Sequence, residues 1–161
     1  MCGVPYHAAE SYIEKLIKKG YKVAICEQME DPKAAKGIVK RDVIRVITPG
    51  TVLTENGTDA RSNNFLALFY QAEAAMIVIF TDVSTGEVIW ERVRAEDGTA
   101  SIIDALAMYA PSEVVTVGNT QLAPEITDFL KNRYEGLAYS PFTADGTADE
   151  LRRRAMSHFT D

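Results

Sequence analysis

Three closely spaced apolar runs in the middle of the chain constrain its fold most. They cover residues 65–70, 76–80 and 88–93 and are rich in β-branched and aromatic side chains. The turn Ser84-Thr85-Gly86-Glu87 separates the second run from the third. Short connections between such runs predict an antiparallel meander of three strands. A sheet of this kind has a hydrophobic face that another layer must cover.

Alternating helix and strand patterns follow the meander. Apolar residues recur at helical spacing near 102–107 and 126–134, and a β-branched run lies between them at 113–117. A short strand is predicted at 137–139, and the capping-box pair Thr147 and Glu150 predicts a last helix. That helix is expected to bury Leu151, Ala155, Met156 and Phe159. The predicted fold class is therefore α/β, with a mixed sheet flanked by helices.

The first fifty residues form a smaller pattern of their own. A helix is predicted over residues 8–19, and strands are predicted over 21–26 and 43–47. One helix and two strands cannot cover a sheet, so this part requires partner strands. A polar segment with the turn signal Asn56-Gly57 separates the two patterns. We therefore predict a partial mixed α/β domain at 1–52, a linker at 53–62 and a second domain at 63–161.

Net charge divides at the same boundary. Residues 1–50 carry nine basic and six acidic side chains, a net +3, and the remaining residues carry eight and seventeen, a net −9, which together give −6. The positive part is the better candidate for contact with a polyanion. Its closely spaced basic residues could neutralise phosphates, and the turn of Tyr6 and His7 offers hydrogen-bond donors. The basic residues are Lys33, Lys36, Lys40, Arg41 and Arg45. An ordinary solvated surface remains the alternative.

Several other function classes find little support in the sequence. Two cysteines are too few for a disulfide framework, which favours a reducing, cytoplasmic compartment, and Cys26 is expected to be a buried small hydrophobe. No apolar run approaches the roughly 20 residues of a membrane span, and no signal peptide opens the chain. There is no glycine-rich phosphate loop, and His7 and His158 have no partners at metal-ligand spacing, so no metal site is expected.

One carboxylate leaves an enzymatic alternative open. Asp82 ends the second run, where an aspartate of a ribonuclease-H-like fold joins other carboxylates around divalent metals. The run at 113–117 offers no carboxylate at its end, Asp104 lies on a helix, and Glu113 lies at the opposite end of the strand. We therefore favour Asp82 as a hairpin cap that accepts backbone N–H groups. A metal-dependent nuclease that uses Asp82 is the alternative function.

A nearly continuous succession of short motifs runs through residues 2–51. The motifs are Gly3-Val4-Pro5-Tyr6-His7-Ala8, Gly20-Tyr21-Lys22-Val23-Ala24-Ile25-Cys26-Glu27-Gln28, Glu30-Asp31-Pro32, Val39-Lys40-Arg41 and Ile47-Thr48-Pro49-Gly50-Thr51. This succession resembles the mismatch-recognition domain of the MutS family of DNA mismatch-repair proteins. Residues 63–161 resemble the connector domain that follows it in that family, through Asn63-Asn64-Phe65-Leu66-Ala67 and Asp82-Val83-Ser84-Thr85-Gly86-Glu87. The resemblance implies a ribonuclease-H-like connector without nuclease activity.

The resemblance further implies that the chain is a fragment. The Phe-x-Glu element with which the family reads a mispaired base is absent from the sequence, as are the clamp, lever and ATPase regions. We therefore expect a fragment that is not an enzyme and has no catalytic residue, metal or cofactor of its own. ATP and Mg²⁺ are expected in the full-length parent, a homodimer that binds mismatched double-stranded DNA and the partner protein MutL, without a membrane.

Two groups of site residues follow from the resemblance. Arg41 matches an arginine that contacts DNA near the mismatch, and four neighbours complete the predicted DNA-binding set: Tyr6, His7, Lys36 and Lys40. The connector is expected to link the DNA-reading domain to the ATPase body and to offer a surface to MutL. Arg152, Arg153 and Arg154 fall about where the family's MutL contacts lie, although plain helix-surface charge explains them equally well. A free-standing interaction module is a third hypothesis.

Overall fold

The computed structural model describes residues 3–30, 37–52 and 63–158. In the N-terminal part, helix α1 (Tyr6–Ile17) is followed by strands β1 (Val23–Gln28) and β2 (Arg41–Ile47), which pair antiparallel as a two-stranded sheet. Gly20 has a φ of +78°, which suits the left-handed turn that ends the helix. The predicted helix and both strands are confirmed, and their observed ends differ from the predicted ends by at most two residues. The predicted linker at 53–62 lies outside the described residues.

The C-terminal part is built on a five-stranded sheet. Its elements are β3 (Leu66–Gln71), β4 (Ala75–Asp82), β5 (Glu87–Arg94), α2 (Ala100–Tyr109), β6 (Glu113–Val117), α3 (Pro124–Arg133), β7 (Ala138–Phe142) and α4 (Ala148–His158). The strand order is β5-β4-β3-β6-β7. The strands β3, β4 and β5 form the predicted antiparallel meander, whereas β6 and β7 run parallel to β3. The α/β class with a mixed sheet is confirmed.

The hydrophobic core lies on one face of this sheet. Ala67 pairs with Phe80 and Phe69 pairs with Val78, and all four side chains are buried. They pack beneath α2 and α3, which contribute the buried residues Ile102, Ala105, Leu106, Ile126 and Leu130. Burial of this apolar surface is the main stabilising contribution to the C-terminal part.

Helix α4 differs from the prediction in its burial. The capping box is confirmed, because the Thr147 amide donates to Glu150 Oε2 at 2.7 Å and the Glu150 amide donates to Thr147 Oγ1 at 3.3 Å. The expected burial is wrong for the described part of the apolar stripe: Leu151 is only half-buried, and Ala155 and Met156 are exposed. Phe159 lies outside the described residues. The core is already filled by α2 and α3, so α4 adds little to it. No helix of the described ranges is long and apolar enough to cross a bilayer.

Candidate nucleic-acid interface

A β-bulge in the N-terminal hairpin determines which way the basic side chains of β2 point. Ile25 pairs with Arg45, but the next residue of β1, Cys26, pairs with Val43. Ile44 is therefore one extra residue on β2, as in a bulge. The amide of Val43 finds a local acceptor in Asp42 Oδ1 at 2.8 Å, so the irregular backbone at the bulge keeps a hydrogen bond.

The bulge separates two arginines that regular alternation would place on the same face. Paired residues share a face, and successive residues alternate between faces. Arg45 therefore lies on the face of Ile25, which is partly covered, whereas Arg41 lies on the face of Cys26 and Val43, which is open to solvent. Arg41 is the first residue of β2 and pairs with Gln28, the last residue of β1, at the end of the hairpin where the chain passes from β1 to β2.

Lys40 lies beside Arg41 in a segment fixed by backbone contacts. Its amide donates to Glu30 Oε1 at 2.5 Å, and its carbonyl accepts from the Met29 amide at 2.9 Å. The Lys40 and Arg41 side chains are both exposed at this end of the hairpin. Lys33 and Lys36, which complete the basic cluster in the sequence, lie outside the described residues. Lys40 and Arg41 are thus two neighbouring exposed cations at one end of the hairpin, where each can contact a phosphate.

Tyr6 and His7 begin helix α1. Pro5 precedes the helix with φ −59° and ψ +139°, and its carbonyl accepts from the Ala8 amide at 2.9 Å. Tyr6 is 91% exposed, and His7 is also exposed. Within the described ranges, no hydrogen bond joins this turn to Lys40 or Arg41. The two groups of predicted DNA-binding residues are therefore held by different elements.

The open face of the hairpin corrects the prediction for Cys26. The sequence predicts a buried small hydrophobe, but Cys26 is exposed and reduced. It shares its face with the exposed residues Ala24, Val43 and Val46. The reason is that α1 covers one face of the two-stranded sheet only, and the apolar character of β1 alone does not show which face a side chain occupies.

The three arginines of α4 are exposed along the helix. Arg152, Arg153 and Arg154 follow the capping box directly, and their side chains point into solvent. The cap keeps the pKa of Glu150 below its usual value, because the carboxylate accepts hydrogen bonds from the backbone and hydroxyl of Thr147. The arginines lie in the second turn of the helix at three successive positions, so their side chains spread over about 200° around the helix axis.

Asp82 is a structural residue rather than part of a metal cluster. It is 1% exposed, and its Oδ1 accepts from the Ser84 amide at 2.8 Å and from Ser84 Oγ at 2.6 Å. Its Oδ2 accepts from the Asn64 amide at 2.9 Å. Burial raises the pKa of Asp82, but these hydrogen bonds outweigh that effect and the net pKa is lowered. No group of three or more His, Cys, Asp or Glu in the described part of the chain is arranged to hold a metal ion, so the nuclease alternative is not supported.

Glu113 joins the hairpin to the five-stranded sheet, a role that the sequence analysis missed. Its carboxylate is buried, and Oε2 accepts from the Gly50 amide at 3.2 Å. Oε1 accepts from Ser140 Oγ at 3.0 Å and lies 3.5 Å from Lys22 Nζ, which also donates to Ser140 Oγ. The only signal in the sequence is a charged residue at the start of an apolar strand.

A second polar contact lies near this cluster. The Asn64 side-chain amide donates to the Pro49 carbonyl at 2.8 Å. Beside the junction runs a groove of about 540 Å³, lined by the end of α1, residues 49–52 and the segment 133–137. Specific polar contacts thus join the two parts of the chain.

The chain matches known proteins along most of its length. Residues 1–56 match the family model described as MutS domain I. The "DNA mismatch repair protein MutS" of Staphylococcus carnosus is 47% identical over 133 residues, which are 83% of this chain and 14% of that protein. The protein of the same name from Caldanaerobacter subterraneus subsp. tengcongensis is 41% identical over 157 residues, 96% of this chain and 18% of that protein.

A third relative is more similar over a shorter range. The MutS protein of Staphylococcus epidermidis is 51% identical over 115 residues, 71% of this chain and 13% of that protein. The chain spans less than a fifth of the length of each of these relatives. The start of the chain matches domain I, and mismatch-repair proteins align with most of its length. The chain is therefore a fragment of a MutS-family protein.

Proposed function

We propose that this chain supplies DNA-backbone contacts to a mismatch-repair protein. The contacts come from the end of its N-terminal hairpin that carries Lys40 and Arg41. The observation that carries the proposal is the pair of exposed cations, Lys40 and Arg41, at one end of the hairpin in a part with net positive charge. Contacts of this type position a protein on a duplex without reading its sequence. Lys36 and the turn of Tyr6 and His7 belong to the same proposed surface.

The C-terminal part then serves as a mechanical link. Its negative net charge disfavours contact with phosphate, and its mixed sheet is packed against two helices. In this proposal it transmits the position of the DNA-facing hairpin to the rest of the full-length protein, where ATP and Mg²⁺ bind and the homodimer forms. The arginines of α4 form the docking surface for MutL.

The experiment that tests the DNA surface compares two arginines of one strand in the full-length protein. Arg41→Ala is expected to weaken binding to matched and mismatched duplexes equally and to reduce the slope of log K against log salt by about one. Arg45→Ala removes the same charge from the opposite face of β2 and serves as the control. Equal salt slopes for the parent and Arg41→Ala would remove Arg41 from the phosphate surface.

A further inference from the structure

We infer that Glu113 is the positioning residue that fixes the orientation of the DNA-facing hairpin on the five-stranded sheet. This inference rests on the proposed function, because it concerns the orientation of the hairpin toward DNA. Glu113 touches no part of the proposed DNA surface and acts through the backbone and side chains that flank the two strands.

The carboxylate is itself fixed in the middle of the sheet. Glu113 is the first residue of β6, and it pairs with Leu66 of β3 on one side and with Ala138 of β7 on the other. Its side chain is 3% exposed. A buried carboxylate is strongly destabilising unless donors surround it, so its position determines where those donors must lie.

One donor precedes the first strand of the hairpin, and another follows its second strand. Lys22 immediately precedes β1, and Gly50 follows β2 by three residues. The first residue of β1, Val23, pairs with the last residue of β2, Ile47. The carboxylate therefore holds both strands at the end of the hairpin that is remote from Arg41.

Gly50 permits the close approach that this contact requires. A Cβ placed on Gly50 would lie 2.7 Å from Leu66 Cδ1 and 3.0 Å from Glu113 Cβ. The backbone at Gly50 thus lies directly against the sheet, on the face that carries Leu66 and Glu113. Ser140, two residues beyond Ala138 on β7, lies on this same face and connects Lys22 to the carboxylate.

The length of the hairpin amplifies any movement at this attachment. From Ile47 to Arg41 the strand extends over roughly 20 Å. A tilt of about 5° at the attached end would therefore displace Arg41 by roughly 2 Å, whereas hydrogen-bond distances to a phosphate vary by only about 0.5 Å. A small change in hairpin tilt at Glu113 is therefore expected to move Arg41 too far to keep its contact with a phosphate.

The test measures orientation directly in the full-length protein. Nitroxide labels are placed on the exposed Cys26 of β1 and on Glu73→Cys in the turn after β3, with all other cysteines replaced, and their distance distribution is recorded by pulsed electron paramagnetic resonance. The parent is expected to give one narrow distribution. Glu113→Gln and Lys22→Met are each expected to broaden it, and the double variant to broaden it no further than Glu113→Gln alone. Unlabelled Glu113→Gln is expected to lose about fivefold or more in duplex affinity.

The control is Glu96→Gln. It breaks the exposed ion pair of Arg94 and Glu96, which lies wholly within the C-terminal part, and should leave the distribution unchanged. If Glu113→Gln lowers the melting temperature but keeps the parent's distribution width, Glu113 is merely structural and the inference is wrong. Broadening without any loss of duplex affinity also overturns it. A failure of the proposed function appears separately, as an unchanged salt slope in Arg41→Ala.

Discussion

Gly20 faces Gly136 so closely that a Cβ on Gly20 would lie 2.0 Å from the Gly136 carbonyl oxygen. Gly20 lies three residues after α1, and Gly136 lies three residues after α3, so the contact brings the two parts of the chain together backbone to backbone. Gly20 also has a φ of +78°, a region that side chains disfavour. Two independent constraints thus require glycine at this position.

Gly20→Ala should therefore lower the free energy of unfolding more than backbone strain alone would. Gly86→Ala is the matched control, because Gly86 has a similar φ of +75° but nothing within 4 Å of its Cβ position. We expect Gly20→Ala to cost roughly 1–3 kcal/mol more than Gly86→Ala in urea unfolding of the full-length protein. Equal losses for the two variants would show that the close approach to Gly136 contributes nothing.

Asp82→Asn should destabilise the C-terminal part by about 1–3 kcal/mol at neutral pH, because buried donors lose a charged acceptor. The pKa of Asp82 is lowered in the folded state, so its contribution to stability is present above the ordinary pKa and is lost as the pH falls. The unfolding free energies of the parent and Asp82→Asn should therefore converge below roughly pH 4. Asp104→Asn, which removes an exposed carboxylate from α2, is the control and should leave the free energy of unfolding at neutral pH close to that of the parent.

Ala110→Gly is expected to stabilise the protein. Ala110 ends α2 with a φ of +44° in the left-handed region, and its side chain is exposed. Relief of a strain of about 1–2 kcal/mol, less the entropy gained by the unfolded chain, leaves a gain of about 0.5–1 kcal/mol. Ala107→Gly, at an exposed position inside the same helix, should instead cost about 1 kcal/mol. Thermal unfolding of both variants would reveal whether the signs differ as expected.

Reversal of two charges on α4 tests the proposed docking surface. Arg153→Glu with Arg154→Glu should weaken MutL recruitment by about tenfold and leave duplex affinity unchanged. Arg92→Glu with Arg94→Glu makes the same charge change on the exposed side of β5 and is the control. Cross-linking yields and solution affinities for MutL provide the measurement. Equal effects of the two pairs would indicate a general electrostatic influence rather than a docking site on α4.

Deletion of Ile44 should leave Arg41 on the same face of the hairpin. Ile44 is the extra residue of the bulge, and its loss preserves the pairs of Cys26 with Val43 and of Ile25 with Arg45. Duplex affinity of this variant should therefore stay close to that of the parent. A loss as large as that of Arg41→Ala would show that the bulge itself, and not the pairing, orients the arginine.

Local signals in the sequence predicted the secondary structure well. Thr147 and Glu150 cap α4, and the turn after Asp82 closes the hairpin of β4 and β5, because each of these features depends on residues only a few positions apart. Asp82 itself was predicted as a hairpin cap from the same local chemistry, and its hydrogen bonds confirm this.

Features that depend on distant residues could not be predicted in the same way. The exposure of Cys26 depends on which face of the sheet α1 covers. The placement of Arg41 and Arg45 on opposite faces depends on a bulge that no residue type in the sequence indicates. The role of Glu113 requires Gly50 and Ser140, at sequence separations of 63 and 27 residues. These relationships become visible only when the strands are placed side by side.

The bulge at Ile44 places one extra residue in β2. On one side of it lies the attachment of Lys22 and Gly50 to the sheet, and on the other side lies the edge that carries Lys40 and Arg41. One residue of β2 is bound by neither arrangement. A change in chain length at this point can therefore be absorbed without disturbing either end, so this hairpin should tolerate the loss of a residue between Arg41 and Arg45 better than a mutation at its attached end.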